Sequence, residues 1–180
     1  MLCPACGYDN LPGTDRCEAC MASFMKLDVP QPKSGLQERL MEDAISALQP
    51  AEAISLPIHS SVLRAVETMK EHRVGCILVM DRGQLAGIFS ERDFLLKVAG
   101  SSRSLEEIQV SEVMTRQPIT LSPEHSIRFA LNEMAVGGFR HIPLLRNREP
   151  AGIISARDVI GYLCQQFRRA EPSATGSKNS

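Results

Sequence analysis

The sequence predicts an α/β (α+β) fold built from two copies of one strand–helix–strand–strand–helix unit, with a small cysteine-rich ribbon in front. Three observations lead there. Ile54 to Asp93 aligns with Ile119 to Asp158 at a constant offset of 65 residues and without a gap. Each half shows short apolar runs flanking a stretch of helical periodicity. Four of the six cysteines fall between residues 3 and 20.

In chain order, residues 1–26 hold the cysteine ribbon, and 27–35, the Pro-containing LDVPQPKSG, has the composition of a linker. Ser34 to Gln37 has capping-box spacing. Leu36, Leu40, Ala44, Ile45 and Leu48 then recur at helical spacing until Pro50. The first unit is expected over 36–100, the second over 101–169, and 170–180, without apolar period, reads as a disordered tail.

The repeat is dense. Ile54, Leu56, Ser61, Ala65, Met69, Ala86, Gly87, Ile88, Ser90, Arg92 and Asp93 recur as Ile119, Leu121, Ser126, Ala130, Met134, Ala151, Gly152, Ile153, Ser155, Arg157 and Asp158. Each half reads as a strand (AISLP; PITLS) followed by a helix with a buried stripe (Val62, Ala65, Val66, Met69; Ile127, Ala130, Leu131, Met134). A hairpin follows, turning at Asp81-Arg82-Gly83 or Arg146-Asn147-Arg148, and then a second helix. Units of about 60 residues bury little surface alone, so the two are expected to pack together, with a pocket at their seam.

Composition narrows the function. Apolar residues are 43% and charged residues 23% of the chain, the balance of a globular protein. With no Trp, two Tyr and six Phe, the core must be mainly aliphatic. Net charge is −1 and the basic residues form no block, which disfavours a general nucleic-acid binder. No apolar run reaches the roughly eighteen residues needed to span a bilayer, and the N-terminus lacks a basic-then-apolar leader, so a cytoplasmic location is expected. No nucleophile elbow, Walker loop or catalytic carboxylate pair is present, and the chain is read as a non-enzyme. Cys76, in an apolar strand, and Cys164, on the last helix, read as small buried apolar residues.

The sharpest chemical signal is Gly87-Ile88-Phe89-Ser90-Glu91-Arg92-Asp93 and its copy Gly152-Ile153-Ile154-Ser155-Ala156-Arg157-Asp158. A glycine permits close backbone approach, a serine opens a helix whose amides favour phosphate, an arginine adds a planar fork of donors, and an aspartate accepts from paired hydroxyls. A second role is open to Ser90 and Ser155, since Ser-x-x-Asp at a helix start is also a capping box that needs no ligand. Together with Val113-Met114-Thr115 before Pro118, and Arg140-His141-Ile142-Pro143, these segments resemble the CBS domain, and the pair resembles the Bateman module. The resemblance covers about residues 36–168. It implies AMP, ADP, ATP or S-adenosylmethionine in a cleft between repeats, with two modules pairing as a homodimer. It also implies that Asp93 and Asp158 hold ribose hydroxyls, that Ser90, Arg92, Ser155 and Arg157 face phosphates, and that Ser55 and Thr120 border the base. Arg140 and His141 have Gly75 and Cys76 as counterparts, so phosphate charge is better answered by the second repeat. His141 also reads as a satisfied strand-edge histidine.

Cys3-Pro-Ala-Cys6 and Cys17-Glu-Ala-Cys20 are two C-x-x-C pairs in a segment too short to fold on its own apolar content. Gly7 follows the first pair where a knuckle would turn, and Pro12-Gly13 supplies the reversal between pairs. Four thiolates favour tetrahedral Zn2+ over iron. The segment CPACGYDN resembles a zinc-ribbon or rubredoxin-like knuckle, but with shorter spacing than rubredoxin and no aromatic core. Asp9, Asp15 and Glu18 against Arg16 make the ribbon acidic, which favours docking to an unidentified protein partner over nucleic acid. The expected function is a regulatory sensor of an adenosyl nucleotide. A rubredoxin-like iron redox protein with a CBS scaffold is the alternative, and a nucleic-acid-binding ribbon follows it.

Overall fold

The computed structural model describes residues 3, 6–11, 14–22 and 43–170. Pro12-Gly13, the linker 27–35, the predicted capping box at Ser34–Gln37 with Leu36 and Leu40, and the tail after Ala170 lie outside the described residues. Two compact units interleave along the sequence. One comprises 51–123 and 141–154, and the other the described parts of 1–50, 124–140 and 155–180.

The first unit contains β1 (Ser55–Pro57), α1 (Val62–His72), β2 (Cys76–Asp81), β3 (Gln84–Ser90), α2 (Glu91–Lys97), α3 (Val110–Val113) and β4 (Thr115–Arg116). Helix α1 starts where the Ser61 hydroxyl accepts the Arg64 amide at 3.2 Å and stops at Arg73, held at φ 54°. The sheet order is β1-β2-β3-β4, with β1 parallel to β2 and the other pairs antiparallel. The β2–β3 hairpin turns on Arg82 and Gly83, both at positive φ as a two-residue type I′ turn requires. Val62, Ala65 and Met69 of α1 pack with Ile77, Val79, Phe89, Val110 and Met114 in one core.

The second repeat contributes α4 (Ile127–Gly137), β5 (His141–Arg146), β6 (Glu149–Ser155) and α5 (Ala156–Ala170). Ser126 caps α4 as Ser61 caps α1, accepting the Phe129 amide at 3.2 Å. Ile127, Ala130 and Met134 are buried as read from the sequence, but Leu131 at the stripe's edge is 37% exposed. Ile127, Val159 and Tyr162 form a smaller core against Leu48 and Leu163. Of the predicted entry helix, the described part is a short 3-10 turn, Ile45–Leu48.

Two expectations are corrected. The segment PITLS does not form a strand like β1 and is reduced to one parallel bridge, Leu121 to Leu144. In the first repeat the ladder is extended by Leu78 N–H to Ile54 and by Ile58 N–H to Met80, each at 2.9 Å. Their counterparts at the repeat offset are Pro143 and Pro123, which have no N–H to donate. Cys164 is exposed, not buried. The buried stripe of α5 runs through Val159, Tyr162 and Gln166, and Cys164 lies off it. Cys76 is buried as expected, and burial, aided by the nearby Asp93 and Glu91 charges, pushes its thiol up to about 12.

Candidate functional site

In both repeats the Gly-Ile-x-Ser-x-Arg-Asp segment runs from the last strand of the hairpin directly into a helix, β3 into α2 and β6 into α5. The first helical amide is already used: Glu91 N–H bonds the Gly75 carbonyl at 3.1 Å, and Ala156 N–H bonds the Arg140 carbonyl at 3.0 Å. The third is capped by serine, Asp93 N–H to Ser90 Oγ at 3.3 Å and Asp158 N–H to Ser155 Oγ at 3.4 Å. The capping role of Ser90 and Ser155 is therefore present in the structure.

Around Asp93 the carboxylate is enclosed. Its Oδ2 accepts Ser90 N–H at 3.0 Å and Ser90 Oγ–H at 2.6 Å. Its Oδ1 accepts the Lys97 ammonium at 2.7 Å and the Thr115 hydroxyl at 2.9 Å. Lys97 also donates to the Val113 carbonyl at 2.8 Å, tying α2 to the end of α3. Burial acts to raise the Asp93 carboxyl, but Lys97, Ser90 and Thr115 outweigh it and hold the group below the usual carboxylate range. A depressed folded-state value contributes stability that is complete above the unfolded value of about 3.9 and is lost as pH falls through the folded one. Asp93→Asn is expected to cost about 2 kcal/mol at pH 7, because charge-assisted bonds are lost while the Lys97 end is half in solvent. Urea unfolding of both proteins should show that gap narrowing as pH falls below the unfolded value of about 3.9; a gap independent of pH would count against the ion pair.

Arg92 and Arg157 are exposed on the first turns of their helices, and Arg140 is exposed ahead of β5. His141 opens β5, half-buried. Its ring lies against Gly75, with Nε2 3.2 Å from where a Cβ on that glycine would stand and a Glu91 carboxylate oxygen 3.6 Å from the same point. Gly75 is the repeat counterpart of Arg140, so His141 lies beside the residue that precedes its own counterpart, Cys76. Ser55 is exposed at the start of β1, and Thr120 is half-buried outside any strand. Sequence reasoning missed Lys97 and the role of Thr115. Lys97 was legible as a cation four residues beyond Asp93 on one helix.

Gly87 lies inside β3, and the close approach it permits is to protein. A Cβ there would stand 2.6 Å from the Thr115 carbonyl oxygen and 2.7 Å from Met114 Sδ.

In the ribbon, two turns repeat each other. Cys3 N–H bonds Tyr8 O at 2.8 Å and Gly7 N–H bonds Cys3 O at 2.9 Å; Cys17 N–H bonds Ala22 O and Met21 N–H bonds Cys17 O, both at 2.8 Å. Each turns through positive φ, Gly7 at 74° and Met21 at 59°. The four sulfurs lie within 4.8 Å of one another, with Cys3–Cys20 at 3.6 Å and Cys6–Cys17 at 3.5 Å. Those separations are too long for disulfides. Metal–sulfur bonds of about 2.3 Å in a tetrahedron need sulfurs about 3.8 Å apart, so the set can hold a metal ion. Asn10, 3% exposed, joins the turns: its amide donates to Tyr8 O at 2.9 Å and Cys17 Sγ at 3.5 Å, and its oxygen accepts Glu18 N–H at 2.8 Å. Burial acts to raise Cys17, but the amides of Cys20 and Ala19, with Asn10 and Cys6, bring it down to about 6. Burial instead pushes Cys6 up to about 11.

A doubled unit of this topology, with the same serine–aspartate turn at each strand-to-helix junction, is the pattern of one protein family. The CBS domain family profile matches residues 41–100 and 110–165, and the chain belongs to that family. The cysteine ribbon lies outside both matched stretches. Similar proteins include the mitochondrial CBS domain-containing protein CBSX3 of Arabidopsis thaliana, 34% identical over 113 residues, 60% of this chain and 55% of that protein. Another is CBSCBSPB5 of the same plant, 32% identical over 142 residues, 78% of this chain and 25% of that protein. The chain thus spans about half the length of the first and a quarter of the second. Among solved structures, a CBS-domain containing protein from Agrobacterium tumefaciens is 29% identical with a TM-score of 0.60, covering 66% of this chain and 94% of that one. CBS-domain proteins are generally regulatory and non-catalytic. No helix among the described residues is long and apolar enough to cross a membrane.

Proposed function

We propose that this chain is a non-catalytic, cytoplasmic regulator that senses an adenosyl ligand, AMP, ADP, ATP or S-adenosylmethionine, through its CBS repeats, works as a homodimer, and docks an unidentified protein through a zinc-bearing ribbon. The observation that carries the reading is the recurrence of one Ser-x-Arg-Asp turn at the same strand-to-helix junction in both repeats. In the second repeat the Asp158 carboxylate, an acceptor suited to ribose hydroxyls, stands at that turn with the exposed Arg157, a donor suited to phosphate oxygens. Ligand binding acts only through different affinities for two arrangements of the protein, so a ligand that regulates must favour one of them. Thermal-shift and calorimetric titration with the four ligands tests this. Saturable binding by at least one is expected, and no binding by any would end the sensor reading.

For the ribbon, zinc is favoured because four sulfurs with tetrahedral spacing suit it and the aromatic surroundings of an iron redox centre are absent from the sequence. Protein purified anaerobically is expected to be colourless and to contain about one zinc per chain by elemental analysis. A coloured, iron-loaded protein would favour the redox alternative.

A further inference from the structure

Asp93 and Asp158 occupy the same position of the repeat, yet the chain surrounds them differently. Asp93 is 6% exposed, and its two oxygens accept four hydrogen bonds, two each. A carboxylate offers about four lone-pair positions, so none remains for a ligand. Asp158 is half-buried. Its Oδ2 accepts Ser155 N–H at 2.6 Å and Ser155 Oγ–H at 2.8 Å, while its Oδ1 has no hydrogen-bond partner among the described residues.

Two sequence differences produce the contrast. Four residues beyond Asp158, in the position of Lys97, stands Tyr162, and its hydroxyl donates to Asp43 instead. Where Thr115 pairs with Ile88 of β3, the counterpart residue Ile153 of β6 pairs with Ala51, which has no hydroxyl. The first repeat thus carries an internal cation and an internal hydroxyl that satisfy its aspartate, and the second carries neither.

We propose that the chain binds one adenosyl ligand, held by Asp158, and that Lys97 and Thr115 have turned Asp93 into a structural carboxylate. The proposal rests on the adenosyl reading above. The two lone pairs of Asp158 Oδ1 suit the two hydroxyls of a ribose, and Arg157 and Arg140, both exposed, belong to the same repeat. A single site per chain gives a hyperbolic response, without competition between two nucleotides for two sites on one chain.

Isothermal titration of the full chain with AMP, ATP and S-adenosylmethionine, combined with thermal melting, tests this. Wild type is expected to bind with a stoichiometry of about one per chain. Asp158→Asn is expected to weaken binding at least about tenfold while moving the melting temperature by less than about 2 °C. Asp93→Asn should keep stoichiometry and affinity within about threefold while melting at least about 5 °C lower. Should Asp93→Asn fail to fold, Lys97→Met, which keeps the capping box, carries the same expectation with a smaller drop. A stoichiometry of two, or affinity lost with Asp93→Asn and kept with Asp158→Asn, overturns the proposal and leaves the adenosyl reading standing. No heat with any ligand defeats the adenosyl reading and the occupancy claim with it; the structural role of Asp93 is then judged by melting alone, and equal losses in the two variants overturn that as well.

Discussion

Replacing Cys17 with serine is expected to strip the ribbon of its metal and its fold, lowering metal affinity by well over a hundredfold. The segment has almost no apolar content to fall back on: among the described ribbon residues, Cys3, Cys17, Cys20 and Asn10 are the ones that are buried, while Tyr8, Leu11 and Met21 are exposed. Structural zinc contributes on the order of 10 kcal/mol or more to such segments, so folding and metal binding are one equilibrium. Of the four sulfurs proposed to hold the metal, Cys17 is the most enclosed. It is fully buried, receives the Asn10 amide, and is brought down to about 6 by the amides and side chains around it. Asn10→Ala provides the graded comparison, because losing a partner that orients a ligand typically costs 10- to 100-fold in affinity. Competition with a chromophoric chelator measures both. Metal retention by Cys17→Ser equal to that of wild type would remove the four-sulfur site from consideration.

The repeat, the hairpins, the capping serines and the sulfur cluster were legible in the sequence because each depends on local spacing. Ser61 and Ser126 cap α1 and α4 through the amide three residues on, a relation any sequence displays. What was not legible depends on contacts between distant segments. Thr115 serves Asp93 from 22 residues away, and Asn10 gains its meaning only when the second knuckle folds against it. The failure of PITLS to form a strand was readable in principle. Its missing donors are Pro123 and Pro143, but the second of these lies in another strand, and alternation within one segment says nothing about its partner's donors. The motif recurs at both strand-to-helix junctions as read, while the surroundings of its two aspartates differ. The alignment gives Asp93 and Asp158 equal standing, whereas Lys97 and Tyr162, four residues beyond the aligned block, separate them.

Gly87 shows how one repeated residue can answer two constraints, and it carries the second large prediction. Gly152, its counterpart, sits at φ 139°, a backbone setting that side chains rarely adopt. Gly87 is needed for space, because the Thr115 carbonyl and Met114 Sδ would meet any Cβ at 2.6 and 2.7 Å. Gly87→Ala is therefore expected to push β4 off β3 and destabilise the first unit by about 3 kcal/mol, the upper end for overpacking, because one of the two obstructing atoms is backbone. Displacing Thr115 also removes its hydroxyl from Asp93, so the strand pairing and the carboxylate network fail together. The double variant Gly87→Ala/Met114→Ala separates the causes: trimming Met114 frees the sulfur contact but leaves the carbonyl, and only part of the loss should return. Urea unfolding reads both variants. A loss below about 1 kcal/mol, or full recovery in the double variant, would mean that β4 yields easily and that the glycine is not what fits it to β3.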